Sequence, residues 1–128
     1  MHQPALRSAI ARVKYLGSAR SGTRHMWHMR LTSAALVPLT IAFVWLLLSL
    51  VGKDYNQLRA ALSSPVAALT LLLFIGASIY HMQLGMQTII EDYVHDERMK
   101  TAALAGNLFF AIAIGAGCIF AVLRLSLV

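Results

Sequence analysis

Three long apolar runs, separated by short polar segments, dominate the hydrophobicity pattern of the chain. A helix needs about 20 apolar residues to cross the ~30 Å hydrocarbon core of a bilayer, and each run meets this length. The segments between the runs carry charged residues, as surface connections do. The pattern therefore predicts an all-α membrane protein whose transmembrane helices lie at about 30–52, 65–91 and 101–123.

The composition excludes an ordinary soluble domain. Of the 128 residues, 59% are hydrophobic and only 12% are charged, whereas soluble domains carry about 25% charged residues. A chain of this length permits one small bundle and no second domain. We therefore divide it into a basic N-terminal segment, residues 1–29, and a three-span membrane domain, residues 30–128.

The net charge is +6, but the basic residues flank the apolar runs and do not indicate a nucleic-acid-binding face. Three spans place the N-terminal segment and the second loop on one side, which carries eight Lys and Arg against three on the other. Because Lys and Arg are enriched on cytoplasmic flanks, we expect the N-terminus and residues 91–100 in the cytoplasm of a bacterium, beside its inner membrane. The acid-free N-terminus also suits a transit peptide, so the mitochondrial inner membrane is the alternative.

The polar segments are predicted to lie outside the transmembrane helices. Residues 1–15 suit either an amphipathic surface helix or a flexible basic tail. Composition predicts a loop at residues 17–22, a polar connection at 52–59 and a charged loop at 91–100.

Two further signals concern the start and the packing of the later spans. Ser64 followed by Pro65 is typical of a helix start, which places the beginning of the second span. In the third span, Ala111, Gly115 and Gly117 are small residues that permit close helix contact. We expect these three to lie on a packing face.

The second span contains an ionisable residue at membrane depth, His81. At about 100° per residue, His81, Gly85, Thr88 and Asp92 share one stripe of the helix. A titratable group in lipid is costly and rarely persists without a partner or a task. Three roles are open for His81: interhelical hydrogen bonding, proton relay, or ligation of a haem iron. Gly85 favours haem, since a bulky side chain there would obstruct a flat macrocycle.

Polar residues at the ends of the spans suggest a site at the membrane boundary. Asp92 and Tyr93 suit either a helix end with an interfacial tyrosine or a quinone site, in which the phenol donates to a quinone carbonyl. Arg30, at the start of the first span, suits either an interfacial anchor or a partner for an anionic group such as a haem propionate. Since His81 is the only histidine well inside a span, a second axial ligand would come from another chain.

The spacing of His81, Gly85, Asp92 and Tyr93 in a second transmembrane helix resembles the hydrophobic membrane anchor of succinate dehydrogenase (succinate:quinone oxidoreductase, respiratory complex II). Arg30-Leu31-Thr32, which opens the first span, is similar to the same family. The three-span layout with short loops and a basic N-terminus also fits. The resemblance covers roughly residues 22–123.

The resemblance implies an assembly and a set of site residues. The chain would pack with a second three-helix membrane anchor around one haem b, with His81 as one axial ligand of the iron and Arg30 near the propionates. Tyr93 would hydrogen-bond ubiquinone, with Asp92 beside it. FAD and iron–sulfur clusters would lie only on partners, a flavoprotein subunit that oxidises succinate and an iron–sulfur subunit.

Two other functions remain open at this point. One is a cytochrome b-type anchor of a fumarate reductase or another dehydrogenase, and the other is a non-redox helical scaffold in which His81 joins two helices. The sequence has no carboxylate pair, nucleophile–base pair or metal-spaced Cys/His cluster that would suit succinate oxidation. We therefore expect no catalytic residue in this chain and a non-catalytic role within an enzyme complex.

Overall fold

The computed structural model describes residues 20–127, with side chains from residue 22 onward. This part of the chain is helical apart from short connections. The expectation of a surface helix or a tail at residues 1–15 lies outside the described residues. The helices are α1 (Arg20–Leu50), α2 (Tyr55–Leu62), α3 (Pro65–Tyr93) and α4 (Glu97–Leu127).

Three of these helices are long and apolar enough to cross a membrane. The qualifying segments are Gly22–Leu50, Pro65–Tyr93 and Glu97–Leu127. A helix of 29 residues is roughly 43 Å long at about 1.5 Å per residue, which exceeds a hydrocarbon core of ~30 Å. The all-α fold with three transmembrane helices is confirmed, and each of these helices is longer than the lipid interior is thick.

Helix α1 begins at Arg20, inside the segment 17–22 that was predicted to be a loop. Arg20, Ser21 and Gly22 are part of α1, so the prediction of a loop was wrong for these three residues. A glycine inside a helix costs only about 1 kcal/mol relative to alanine. The long helix that follows offsets that cost, and it continues through Pro38 to Leu50.

The polar connection predicted at residues 52–59 contains a helix, α2, that sequence reasoning missed. Asp54 caps it, since its carboxylate accepts from the backbone N–H of Gln57 at 2.8 Å. The side chain of Gln57 accepts in turn from the backbone N–H of Asp54 at 3.3 Å, which completes a capping box. Gly52 makes the turn before α2 with a φ of 79°, a left-handed conformation that favours glycine. Helix α2 packs against α3 and α4.

The charged loop predicted at residues 91–100 is much shorter in the structure, where only 94–96 are non-helical. Asp96 explains the early start of α4, because its carboxylate accepts from the backbone N–H of Met99 at 2.8 Å. Glu97 lies in the first turn, where a negative charge favours the helix dipole. Charged residues here therefore begin a helix, and the prediction of a ten-residue loop was wrong.

Helix α3 begins at the predicted position and is the central helix of the bundle. Ser64 caps it by accepting from the backbone N–H of Ala67 at 3.3 Å, and Pro65 occupies the first turn. Both α1 and α4 pack against α3. Between α1 and α3, Phe43 and Phe74 stack with ring centroids 4.3 Å apart and an interplanar angle of 9°.

Small residues bring α4 close to α3, as the sequence predicts for two of three positions. Ala111 and Gly115 are buried, and a Cβ on Gly115 would lie 3.6 Å from the Cδ1 of Ile79. Gly117 is exposed, with nothing within 4 Å of its Cβ position, so its assignment to this face was wrong. Two residues beyond Gly115 is about 200° around the helix, which points Gly117 away from α3.

We predict that Gly115→Leu destabilises the bundle by about 1–3 kcal/mol, the usual cost of overpacking. The added side chain would meet Ile79, whose atoms already lie at contact distance from a Cβ. Thermal unfolding in detergent should show a lower midpoint. Gly117→Leu is the matched control, since its side chain enters open space, and an equal loss in both variants would contradict the packing assignment.

The three long helices enclose little interior among the described residues. Large apolar side chains remain exposed around them, and no large side chain is fully buried. Helices that are apolar on all sides are typical of lipid contact or of packing with further transmembrane helices. The bundle therefore presents apolar surface to its surroundings on all sides.

Candidate functional site

Three polar contacts join α1 to α3 within their apolar surroundings. The Oγ1 of Thr32 lies 2.9 Å from the Nδ1 of His81. Farther toward the start of α1, the Nε2 of His25 lies 3.0 Å from the Oγ1 of Thr88. Beside them, the Nδ1 of His28 lies 2.6 Å from the hydroxyl of Tyr80. Six side chains make these three contacts: His25, His28, Thr32, Tyr80, His81 and Thr88.

Two of the contacts pair a threonine with a histidine, and the two helices exchange roles between them. In one, α1 contributes the threonine and α3 the histidine, and in the other the roles are exchanged. Thr32 donates to the carbonyls of His28 and Met29 at 2.8 and 3.0 Å. Thr88 likewise donates to the carbonyl of Leu84 at 3.1 Å. Each hydroxyl therefore has an acceptor carbonyl on its own helix and also lies within hydrogen-bond distance of an imidazole on the other.

His81 is partly buried in the middle of α3. Its Nδ1 is engaged by Thr32, while its Nε2 has no hydrogen-bond partner among residues 20–127. A neutral imidazole has one donor nitrogen and one acceptor nitrogen, and the latter can bind a metal. The ring therefore has one nitrogen held in place and one with its bonding capacity open.

The helix surface beside His81 is unobstructed at Gly85. A Cβ at Gly85 would have no atom within 4 Å, although the residue is partly buried. A side chain there would therefore extend into open space and not into a neighbouring helix. Room for a flat group beside His81 stays a prediction.

Arg30 is exposed near the start of α1 and is not brought to His81. It precedes Thr32 by two residues, which is about 200° around the helix. Thr32 faces α3, so Arg30 leaves α1 on the opposite side.

Asp92 and Tyr93 lie exposed at the C-terminal end of α3. The side chain of Tyr93 is 77% exposed, and neither residue has a side-chain hydrogen bond within the described part of the chain. Tyr93 follows His81 by twelve residues, or roughly 18 Å along the axis. The phenol and the carboxylate are thus exposed at the C-terminal end of α3, separated from His81 along the helix.

A polar contact between α3 and α4 was also missed from the sequence. The side-chain amide of Asn107 donates to the backbone carbonyl of Gln83 at 3.0 Å. Like Thr32, Tyr80 and Thr88, Asn107 is a polar residue inside an apolar run. Such residues usually find partners across helices. The sequence shows which polar residues lie in the apolar runs, but not which residues they contact.

Within residues 20–127, no cluster of three or more His, Cys, Asp or Glu side chains is arranged to hold a metal ion. A metal at His81 would therefore depend on ligands from a cofactor and from another chain.

Comparison with known proteins identifies the family. The profile of the succinate dehydrogenase/fumarate reductase transmembrane subunit family matches residues 4–120. A succinate dehydrogenase hydrophobic membrane anchor subunit from Paracoccus denitrificans is 33% identical over 112 residues, which cover 88% of this chain and 86% of that protein. The subunit of the same name from Rickettsia bellii is 31% identical over 106 residues, covering 83% and 85%.

A third relative, from Rickettsia conorii, carries the same name and is 30% identical over 84% of this chain and 87% of its own length. No solved structure gives a significant match. These relatives come from bacteria, which together with the three apolar helices indicates a multi-pass protein of a bacterial inner membrane. Profile and relatives agree over most of the chain, which therefore belongs to the succinate dehydrogenase/fumarate reductase transmembrane subunit family.

Proposed function

We propose that this chain is the membrane anchor subunit of a succinate dehydrogenase, where it binds haem b jointly with a second anchor and contributes to the ubiquinone site. The observation that carries the proposal is His81, partly buried in a transmembrane helix with Nδ1 engaged and Nε2 open. Family membership supports the assembly, and the geometry of His81 supports the cofactor.

The residues around His81 fit a haem. Nε2 of His81 would be one axial ligand, and the open surface at Gly85 would accept the edge of the macrocycle. The second axial ligand would come from the second anchor, because no other histidine of this chain lies near the middle of a described span. A bound haem would supply a one-electron carrier within the membrane. The proposed role of Arg30 near the propionates rests on the family resemblance, since Arg30 leaves α1 on the side away from α3.

The end of α3 suits a quinone. The phenol of Tyr93 is a hydrogen-bond donor without a partner in the described chain, at the depth where an apolar span meets water. It would donate to a quinone carbonyl oxygen. Asp92 is exposed beside it and would exchange protons with water, since reduction of a quinone consumes two protons with two electrons.

The assembly would place this end of the chain against the peripheral subunits. By the positive-inside rule, the start of α1 and residues 94–96 face the cytoplasm. An iron–sulfur subunit would dock there and deliver electrons from a flavoprotein subunit that oxidises succinate. In this arrangement our chain holds and positions the cofactor and the quinone, and takes no part in succinate oxidation.

A second function is favoured by one specific observation. The Thr32–His81 contact joins two helices, and interhelical hydrogen bonds of this kind stabilise membrane bundles by about 0.6–2 kcal/mol. A non-redox scaffold would need nothing more from His81. The family also includes fumarate reductase subunits, so an anchor of that enzyme or another dehydrogenase is the alternative within redox chemistry.

Purification through an affinity tag on this chain tests the proposal. We expect mass spectrometry to find a second three-span anchor, an iron–sulfur subunit and a flavoprotein subunit, and we expect the preparation to reduce ubiquinone with succinate. Isolation of the chain without a flavoprotein would favour the scaffold. A complex that reduces fumarate much faster than it oxidises succinate would favour the fumarate reductase anchor.

A further inference from the structure

The hydroxyl of Thr32 has more hydrogen-bonding neighbours than it has protons. Its Oγ1 lies 2.8 Å from the carbonyl of His28, 3.0 Å from that of Met29 and 2.9 Å from the Nδ1 of His81. Carbonyl oxygens only accept, so a hydroxyl proton directed to either of them leaves the lone pairs of Oγ1 for another donor. The lone pairs of Oγ1 then face the imidazole, and the bond to His81 is complete when Nδ1 carries a proton.

With the Thr32 hydroxyl proton on a carbonyl of α1, the contact favours one tautomer of His81. A neutral imidazole carries one proton, and with that proton on Nδ1 the lone pair is on Nε2. Nε2 is also the nitrogen without a partner among residues 20–127. The tautomer favoured by Thr32 is therefore the one whose ligating nitrogen is the atom that Thr32 does not contact.

We infer that Thr32 is a positioning residue that fixes the tautomer and orientation of His81 and strengthens it as a ligand of the haem iron. The inference rests on the proposed haem. A histidine that donates its second N–H to an oxygen becomes a more basic ligand, because the bond shifts electron density toward the ligating nitrogen. Such a ligand stabilises the more positively charged, oxidised iron and lowers the reduction potential.

The acceptor is unusually well fixed for this role. The branched side chain of Thr32 has restricted rotation in a helix, and its hydroxyl is tied to two carbonyls of its own helix. Little freedom is therefore lost when the bond to His81 forms. The bond is also shielded, since both residues are partly buried.

The second threonine–histidine pair supplies a matched control. Thr88 also donates to its own helix and contacts an imidazole across the α1–α3 interface. The imidazole there belongs to His25, near the start of α1, and not to the haem ligand. Thr88→Val therefore removes an interhelical bond of the same chemistry without changing the Nδ1 contact of His81.

The test is a redox titration of the purified complex, followed by visible absorption of the haem. In Thr32→Val, which keeps the shape but removes the acceptor, we expect a higher midpoint potential and about 10–100-fold weaker haem retention, as when outer partners of metal ligands are lost. A tenfold change in the preference for oxidised iron corresponds to about 59 mV. Thr32→Ser, which keeps the hydroxyl, should restore the wild-type potential, and Thr88→Val should leave it unchanged.

Several results would overturn the inference. They are an unchanged potential and haem content in Thr32→Val, a shift in Thr32→Ser as large as in Thr32→Val, or an equal shift in Thr88→Val. If Thr32→Val does not assemble, Thr32→Cys offers a weaker acceptor, for which an intermediate shift is expected and no shift contradicts the role. A wild-type complex without haem would instead refute the proposed function, a result separate from those for the variants.

Discussion

Replacing His81 by alanine should remove most of the haem from the purified complex. The imidazole is the only histidine ring in the described part of this chain placed near the middle of a span with an open nitrogen, and a methyl group cannot ligate iron. Loss of the cofactor would also leave a gap between transmembrane helices, so we expect less assembled complex in the membrane. The measurements are the reduced-minus-oxidised difference spectrum and the yield of complex after affinity purification.

The matched control for this variant is His95→Ala. His95 is exposed in the short connection between α3 and α4, so the same substitution there should leave the haem content per copy of this chain at the wild-type level. A His81→Ala complex with a full and unshifted haem spectrum would show that the iron is ligated elsewhere. If the wild-type complex contains no haem and His81→Ala still fails to assemble, His81 would instead be assigned to helix packing.

Replacing Tyr93 by phenylalanine should impair quinone reduction while leaving succinate oxidation intact. The change removes only the phenol hydroxyl, whose proposed bond to a quinone oxygen is worth about 1.5 kcal/mol, or roughly tenfold in rate. Succinate-dependent reduction of an artificial dye bypasses the quinone and should be unchanged. The ratio of the two activities therefore measures the contribution of Tyr93 at the membrane boundary.

Tyr55→Phe is the control for Tyr93→Phe, because the two tyrosines are similarly exposed, 75% and 77%, at opposite membrane boundaries. We expect wild-type quinone reduction in Tyr55→Phe. Equal loss of dye reduction and quinone reduction in Tyr93→Phe would indicate that Tyr93 supports docking of the peripheral subunits and does not contact the quinone.

The transmembrane helices follow from the sequence because bilayer thickness sets their minimum length. Their ends do not, since helices continue into water wherever a cap satisfies the terminal backbone groups. Asp54 and Asp96 are such caps, and both were interpreted from the sequence only as charges in loops. The spacing Asp54-x-x-Gln57 is a capping-box pattern that would have predicted α2.

The candidate site was partly predictable for a related reason. Helical periodicity places His81 and Gly85 on one stripe of α3 without any knowledge of the other helices. The partner of His81 depends on how far α1 and α3 slide past each other, and periodicity within one helix carries no such information. The sequence therefore presents Thr32 only as part of a resemblance, although its hydroxyl lies 2.9 Å from the Nδ1 of His81.

The central claim is that His81 ligates the iron of a haem shared with a second membrane anchor. The most direct measurement is a visible spectrum of the intact wild-type complex in detergent, recorded before and after reduction, with haem quantified per copy of this chain. We predict a b-type α band on reduction and one haem for each pair of anchors. An assembled complex without that band would contradict the claim and leave His81 as a polar contact between two membrane helices.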